Sequence, residues 1–329
     1  MEEKIEKELK WAVLGTGVIA NEMAQALEKM GKKLYAVANR THSKAVEFAG
    51  KYGVQKVYDK IEDMFTDEET DIIYITTPHN THIKFMIEAL KNGKHVLCEK
   101  SITLNSEELE EAVKIAKEKN LILGEAMTIF NMPLYTELLE IVNSGKLGDV
   151  KMIQVNFGSY KEYDMSNRFF NRNLAGGALL DIGVYAISIT RLFMLSKPDN
   201  VLSQVKYAPT GVDEQVGIIM MNKEQQMSTI ALTLHSKQPK RVVIACEKAY
   251  IEITEYPRAD KAKIVYTETG EVEEITAGMT SNALQYELQN MEESVRTGIN
   301  KMKLEYTIDV MDIMTKLRKE WGMTYPEEE

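Results

Sequence analysis

Through the first 126 residues, short apolar runs alternate with longer segments whose apolar positions recur every three or four residues. The runs lie at 10–14, 34–38, 71–76, 95–99 and 121–126. Runs of this length, apolar on both faces, predict buried parallel strands. The segments between them predict helices: from the turn after Leu14 to Met30, from a Ser43 cap to Tyr52, over 61–65, over 81–92 and over 106–119. Gly31, Gly53 and Gly93 stand where helices should stop. Such alternation predicts an α/β fold with a doubly wound parallel sheet. Ligands of these sheets lie outside the carboxyl ends of the strands. The Gly15 turn, Asn39, Thr76 to Asn80 and Glu99-Lys100 all fall there.

The second half has a different rhythm. A helix is predicted from Pro133 to Val142, ended by Ser144-Gly145, and the pattern becomes alternating from Lys151 to Ser159. A polar, aromatic-rich segment, Tyr160 to Arg172, leads to Gly176-Gly177 and an apolar helical stretch reaching Phe193. Strand-like runs follow at 201–207, 216–221, 228–235, 242–245, 250–253 and 263–266. No helical signal separates them, which predicts a large, mostly antiparallel open sheet. Two more helices are predicted over 282–296 and 305–321, with Glu327-Glu328-Glu329 as a frayed tail. The chain thus divides into a dinucleotide-binding domain, 1–127, and a substrate and dimerisation domain, 128–329, whose last helix could pack back on the first.

Composition narrows the partners. The 329 residues exceed one typical core. A net charge of −10 argues against nucleic acid. Two cysteines, Cys98 and Cys246, make no disulfide framework and fit a reducing, cytoplasmic setting. The charged start, Met1 to Lys10, does not read as a signal peptide, and no apolar run reaches the ~18 residues of a membrane span.

The strand-end residues carry the candidate chemistry. Gly15-Thr16-Gly17-Val18-Ile19-Ala20 joins a strand to a helix, the setting in which this glycine pattern binds a dinucleotide. Gly15 permits the turn, Gly17 lets a pyrophosphate approach, and Ala20 allows close helix–strand packing. The next strand ends in Asn39-Arg40-Thr41, with no acid for a ribose hydroxyl. Arg40 suits a 2′-phosphate, so NADP(H) is favoured over NAD(H). Asp181 and Tyr185, four apart, share one helical face, and Gly183 between them suggests a close approach to the backbone. Arg168, Phe169 and Asn171 mix aromatic and polar groups suited to a polyol. His79 and His82 lack the companions of a metal site, and no metal is expected. Cys98 reads as a core thiol.

Together these motifs resemble the Gfo/Idh/MocA family of nicotinamide-dependent oxidoreductases over nearly the whole chain. The resemblance rests on the Gly15–Ala20 turn, Thr76-Thr77-Pro78 with Asn80 and His82, His95 to Lys100, Ser144-Gly145-Lys146-Leu147-Gly148, the Gly176–Tyr185 stretch and Trp321-Gly322. It implies that Lys100 and Tyr185 are catalytic with Asp181 beside them, and that Thr76, Thr77, Pro78, Asn80, His82, Glu99 and Lys100 touch the cofactor. It implies hydride transfer to or from a sugar, polyol or vicinal diol, with Lys100 lowering the pKa of the Tyr185 phenol. A homodimer or larger homo-oligomer through the open sheet is also implied. Relatives that only sense ligand, or that perform redox-neutral sugar chemistry, are the alternatives. Ser101 stands where the family usually has Pro, which puts a cis peptide there in doubt. Thr128 and Phe130 replace a family Trp and Arg.

Overall fold

A computed structural model describes residues 8–329; the first seven residues of the charged start lie outside the described part. The parallel sheet is built from β1 (Trp11–Leu14), β2 (Ala36–Ala38), β3 (Lys56–Val57), β4 (Ile72–Ile75), β5 (His95–Glu99) and β6 (Leu123–Ala126), in the order β3-β2-β1-β4-β5-β6. Its helices are α1 (Val18–Lys29), α2 (His42–Tyr52), α3 (Ile61–Thr66), α4 (His82–Lys91) and α5 (Ser106–Glu118). β1 and β4 are buried throughout, the reason for their unbroken apolar runs. β3 escaped the pattern because its two residues leave no period to read. Helix α2 is capped at Thr41 rather than Ser43, and no side chain bonds its free N–H groups. Gly53 closes it in the left-handed region, at φ 62°.

The remainder begins with α6 (Thr128–Asn131) and α7 (Pro133–Asn143). It then supplies β7 (Val150–Gly158), α8 (Val184–Phe193), β8 (Asn200–Tyr207), β9 (Asp213–Met221), β10 (Met227–Thr233), β11 (Gln238–Cys246), β12 (Ala249–Thr254), β13 (Lys261–Tyr266) and β14 (Val272–Thr276). These eight strands form one sheet, ordered β14-β13-β12-β11-β7-β10-β9-β8. It is antiparallel except where β7 and β10 run parallel, Val155 beside Ile230. That parallel pair requires the long connection that carries the aromatic-rich segment and α8 across the sheet. Val216, Ile218 and Met220 of β9 point inward, whereas Ile219 points out opposite the exposed Leu202.

Helices α9 (Ala283–Thr297) and α10 (Leu304–Glu320) complete the chain. Leu284, Leu288 and Met291 of α9 share a core with Trp11, Val13 and α1. α10 is stitched to the parallel sheet by Thr307, whose hydroxyl lies 3.0 Å from Glu125.

Two expectations fail here. The terminal glutamates do not fray: Glu328 pairs bidentately with buried Arg318, at 2.7 Å from each nitrogen, and Glu329 pairs with Arg172. A buried guanidinium requires a carboxylate, and composition could not show that Arg318 is buried. By length and composition the stretch Arg172–Phe193 also passes as a membrane span, but 78% of its apolar window is buried inside the protein.

Candidate active site

The carboxyl ends of β1, β4 and β5 and the start of the α8 stretch enclose a cleft of ≈ 460 Å³. Gly17, Val18, Ile19, Thr76, Thr77 and Pro78 line one side, Glu99 and Lys100 the floor, and Arg168, Phe169, Asp181 and Tyr185 the other side. Gly15 sits just behind, at φ 111°, where a Cβ would lie 2.5 Å from the Thr76 hydroxyl. Thr16 is beside it, its carbonyl accepting from Asn21. Nothing lies within 4 Å of where a Cβ on Gly17 would project, and no side chain caps α1. Free first-turn N–H groups beside that open space fit a pyrophosphate. Asn39 and Arg40 lie at the end of the neighbouring β2; the Arg40 side chain is exposed, with no partner among the described residues.

Lys100 is the hub. Its ammonium donates to the Asp181 carbonyl at 2.7 Å and to Asp181 Oδ1 at 3.1 Å. It also lies 4.9 Å from the centre of the Tyr185 ring. Burial works to lower the Lys100 pKa, but Asp181 and Tyr185 outweigh it and hold the ammonium charged. Burial likewise works to raise Asp181, and the charges of Lys100 and Arg168 win, holding it below the usual carboxylate range. Arg168 reaches Asp181 at 3.5 Å. The Tyr185 hydroxyl makes no hydrogen bond with any described residue, and the ring rests against Phe157. For Tyr185 the balance goes the other way from the expectation: burial pushes the phenol up to about 12, against the pull of Lys100. Desolvation of a phenolate here exceeds one nearby cation's attraction.

The peptide between Lys100 and Ser101 is cis, although Ser has replaced Pro. Ser101 is buried, and its hydroxyl donates to the Leu180 carbonyl at 2.9 Å. His82 does not reach the cleft. It is fully buried, with ring nitrogens 3.0 Å from the Ser101 carbonyl and 2.7 Å from that of Thr77, so it braces the two strand ends from behind. Its neighbour His79 takes the cleft position, 3.0 Å from the Lys100 carbonyl, with its pKa pulled down to about 3 by burial, then by His82 and Lys100. A neutral His79 adds no charge to the cleft. Asn80 donates to Glu327, and Asn171 accepts from Asn173 at 2.9 Å within its own loop; neither lines the cleft.

The glycines of the α8 stretch make room for protein rather than ligand. A Cβ on Gly183 would lie 2.9 Å from Leu232, and one on Gly176 would lie 2.7 Å from the Arg168 carbonyl. At Gly177, φ 125°, it would lie 2.1 Å from Asp213 Oδ1. Asp213 was missed because it precedes the apolar run at 216–221 and reads there as a loop acid. It is fully buried at the start of β9, and its other oxygen accepts the Leu179 N–H at 2.6 Å. That bond anchors the first turn of the stretch, which runs as a π-turn over Leu179–Gly183 before α8. Tyr325 holds the same corner by donating to the Gly176 carbonyl at 2.7 Å.

Two family models match the chain: "Oxidoreductase family, NAD-binding Rossmann fold" over residues 9–127, and "GFO/IDH/MocA C-terminal domain" over residues 135–252. The chain belongs to the Gfo/Idh/MocA oxidoreductase family. Among its relatives is a trans-1,2-dihydrobenzene-1,2-diol dehydrogenase of Xenopus laevis, 30% identical over 96% of this chain and 99% of that one. The human enzyme of the same name is 27% identical over 97% and 99%. Among solved structures, the 3-ketoreductase KijD10 of Actinomadura kijaniata, in complex with NADP and TDP-benzene, superposes with a TM-score of 0.84 at 18% identity, covering 95% of this chain and 98% of that one. Levoglucosan dehydrogenase with NADH and levoglucosan gives 0.84 at 16% identity, covering 96% and 98%. This Gfo/Idh/MocA protein is therefore a nicotinamide-dependent oxidoreductase of the dehydrogenase type, with a parallel Rossmann sheet and a mostly antiparallel open sheet.

Proposed function

We propose that this protein transfers a hydride between NADP(H) and a sugar, polyol or vicinal diol, or the matching carbonyl compound, in the cleft below Tyr185. The observation that carries the reading is the Lys100–Asp181–Tyr185 cluster facing the α1 N-terminus across one cleft. The bound nicotinamide supplies or accepts the hydride. Tyr185 gives a proton to the carbonyl oxygen in reduction and takes it back in oxidation. Its free hydroxyl is a proton donor at neutral pH, as carbonyl reduction requires. Lys100 stabilises the phenolate left behind, and Asp181 holds Lys100 in place. Val18, Ile19 and the Thr76–Pro78 turn shape the nucleotide side, and Arg168 and Phe169 the substrate side. Asp213 and His82 are positioning residues for α8 and the Lys100 turn.

The preference for NADP over NAD rests on Arg40, exposed at the end of β2, where the strand ends in Asn39 and not in an acid. We place the division between the cofactor and substrate domains at 127/128, just after β6. The outer face of the eight-stranded sheet, with Leu202 and Ile219 paired and exposed, supports a homo-oligomer through that face. The test is to follow reduction of NADP⁺ and NAD⁺ across aldoses, polyols and trans-diols, and oxidation of NADPH with the carbonyl counterparts. Turnover with NADP(H), weakened at least tenfold in Arg40→Ala, supports the reading. Absence of nicotinamide turnover with every compound, or an Arg40→Ala variant with unchanged KM for NADP, refutes the corresponding part.

A further inference from the structure

Lys161 has no role in the site described so far. It follows β7 on the segment that crosses the substrate side, with its N–H donating to the Leu234 carbonyl at 2.7 Å. Its ammonium makes no hydrogen bond or ion pair with any described residue; it rests 4.2 Å from the centre of the Phe169 ring. The Arg168 guanidinium lies 4.4 Å from the same centre. Phe169 and Arg168 both line the cleft, so two cations meet at its substrate wall around one aromatic ring.

The acids do not balance them. Lys100 and Arg168 share a single carboxylate, Asp181. The other nearby cations are already matched: Lys240 pairs with Glu255 at 2.9 Å, and Arg258 with Glu22 at 2.9 Å. His79 is neutral. Three cations, Lys100, Lys161 and Arg168, thus face two carboxylates, Asp181 and the Glu99 of the cleft floor, an excess of one positive charge even with Glu99 ionised. The chain as a whole carries −10, so this excess is local. Burial, and the charges of Arg168, Lys100 and Lys240, lower the Lys161 pKa despite the pull of Asp181. A partly buried ammonium among other cations is stabilised by an anion placed beside it. The aromatic ring supplies only partial compensation.

We infer that the substrate carries an anionic group, a carboxylate or phosphate, which Lys161 and Arg168 hold against Phe169 at the end of the cleft away from α1. The inference rests on the proposed substrate site, yet its test needs no turnover. The alternative source of such an anion is a phosphate of the cofactor itself, and the arms below separate the two.

The NADPH-loaded protein is titrated with D-glucitol, D-gluconate and D-glucitol 6-phosphate, none of which has a carbonyl to reduce, and binding is read by calorimetry. At low salt at least one anion should bind about tenfold or more tighter than glucitol, the effect of one well-placed charge pair. That advantage should shrink as salt is added. Lys161→Gln and Arg168→Gln should each reduce it, while Lys161→Gln leaves NADPH affinity unchanged. Equal or tighter binding of the neutral polyol, or no binding of either anion, overturns the proposal. So does a Lys161→Gln variant that loses NADPH affinity and keeps the anion preference, because the cations would then serve the cofactor. Anion preference without nicotinamide turnover of the earlier compounds or of their carboxylate and phosphate derivatives would sink the hydride-transfer reading and leave this subsite standing.

Discussion

Glu125 offers a test of the scaffold behind Lys100. It lies in β6 and is almost fully buried. Its Oε1 accepts the Ile102 N–H at 3.1 Å, just beyond the Lys100–Ser101 peptide, and Oε2 meets the Thr307 hydroxyl at 3.0 Å. Burial raises its pKa from 4.5 to about 7, more than the two hydrogen bonds lower it, and Glu99 adds repulsion. The folded chain therefore keeps a proton that the unfolded chain has lost between these pH values. Stability contributed by this group is full below about pH 4.5 and falls as pH rises to about 7. At about 1.4 kcal/mol per pH unit, the loss comes to about 3 kcal/mol. Glu125→Gln removes the titration, keeps an acceptor for Ile102 and replaces the oxygen that accepts from Thr307 by an N–H that the rotated Thr307 hydroxyl accepts. The variant should gain several degrees of melting temperature over the parent at pH 8, and the gain should vanish near pH 5. Melting curves of both proteins across that range, with turnover of each at 25 °C, make the assay. Glutamine destabilising by the same amount at both ends would show that the hydrogen-bond geometry, not the charge, dominates, and the argument would be wrong.

Three further outcomes follow from the site. Tyr185→Phe should cut turnover by about 10²–10⁴ with NADPH affinity nearly intact, since the ring packing on Phe157 survives; turnover within a few-fold of the parent removes Tyr185 from proton transfer. With the phenol pushed up to about 12, alcohol oxidation should still be accelerating at pH 9 while carbonyl reduction stays level, and an oxidation plateau near pH 7 would contradict that. Glu328→Ala should destabilise by about 3 kcal/mol by leaving buried Arg318 without its carboxylate, visible as an earlier melt; an unchanged melting temperature would return the terminal glutamates to the frayed state.

Much of the parallel sheet could be read from the order of residues. Strands buried on both faces, such as β1 and β4, must be apolar throughout, and helices between them must be apolar on one side, so local period reports the layer directly. The glycine turn was legible for the same reason: Gly15 at φ 111° is a backbone requirement expressed in one residue type. Asp181 and Tyr185 were visible as polar groups inside an apolar helical stretch and Lys100 by its place at a strand end, and the family resemblance joined them as a set. Their balance of forces was not visible. Whether Lys100 or burial governs the Tyr185 phenol depends on desolvation, which is set by everything packed around the ring and has no local signature. The same holds for Gly177 and Gly183, whose neighbours Asp213 and Leu232 come from β9 and β10. It holds for His82, which the resemblance placed at the cofactor, although its ring braces strands and the His79 ring lines the cleft. And it holds for the last three glutamates, which composition reads as a solvated tail. Only the fold brings Asn80 and Arg172 to them from remote positions, and only the turn after the last helix brings Arg318 to Glu328. Sequence by itself determined the layers, the cofactor turn and the candidate chemistry, because each is a local constraint on backbone or side-chain type. Tertiary structure decided charge states, partners and the excess of cations at Phe169, because those depend on which distant residues share one small, poorly solvated volume.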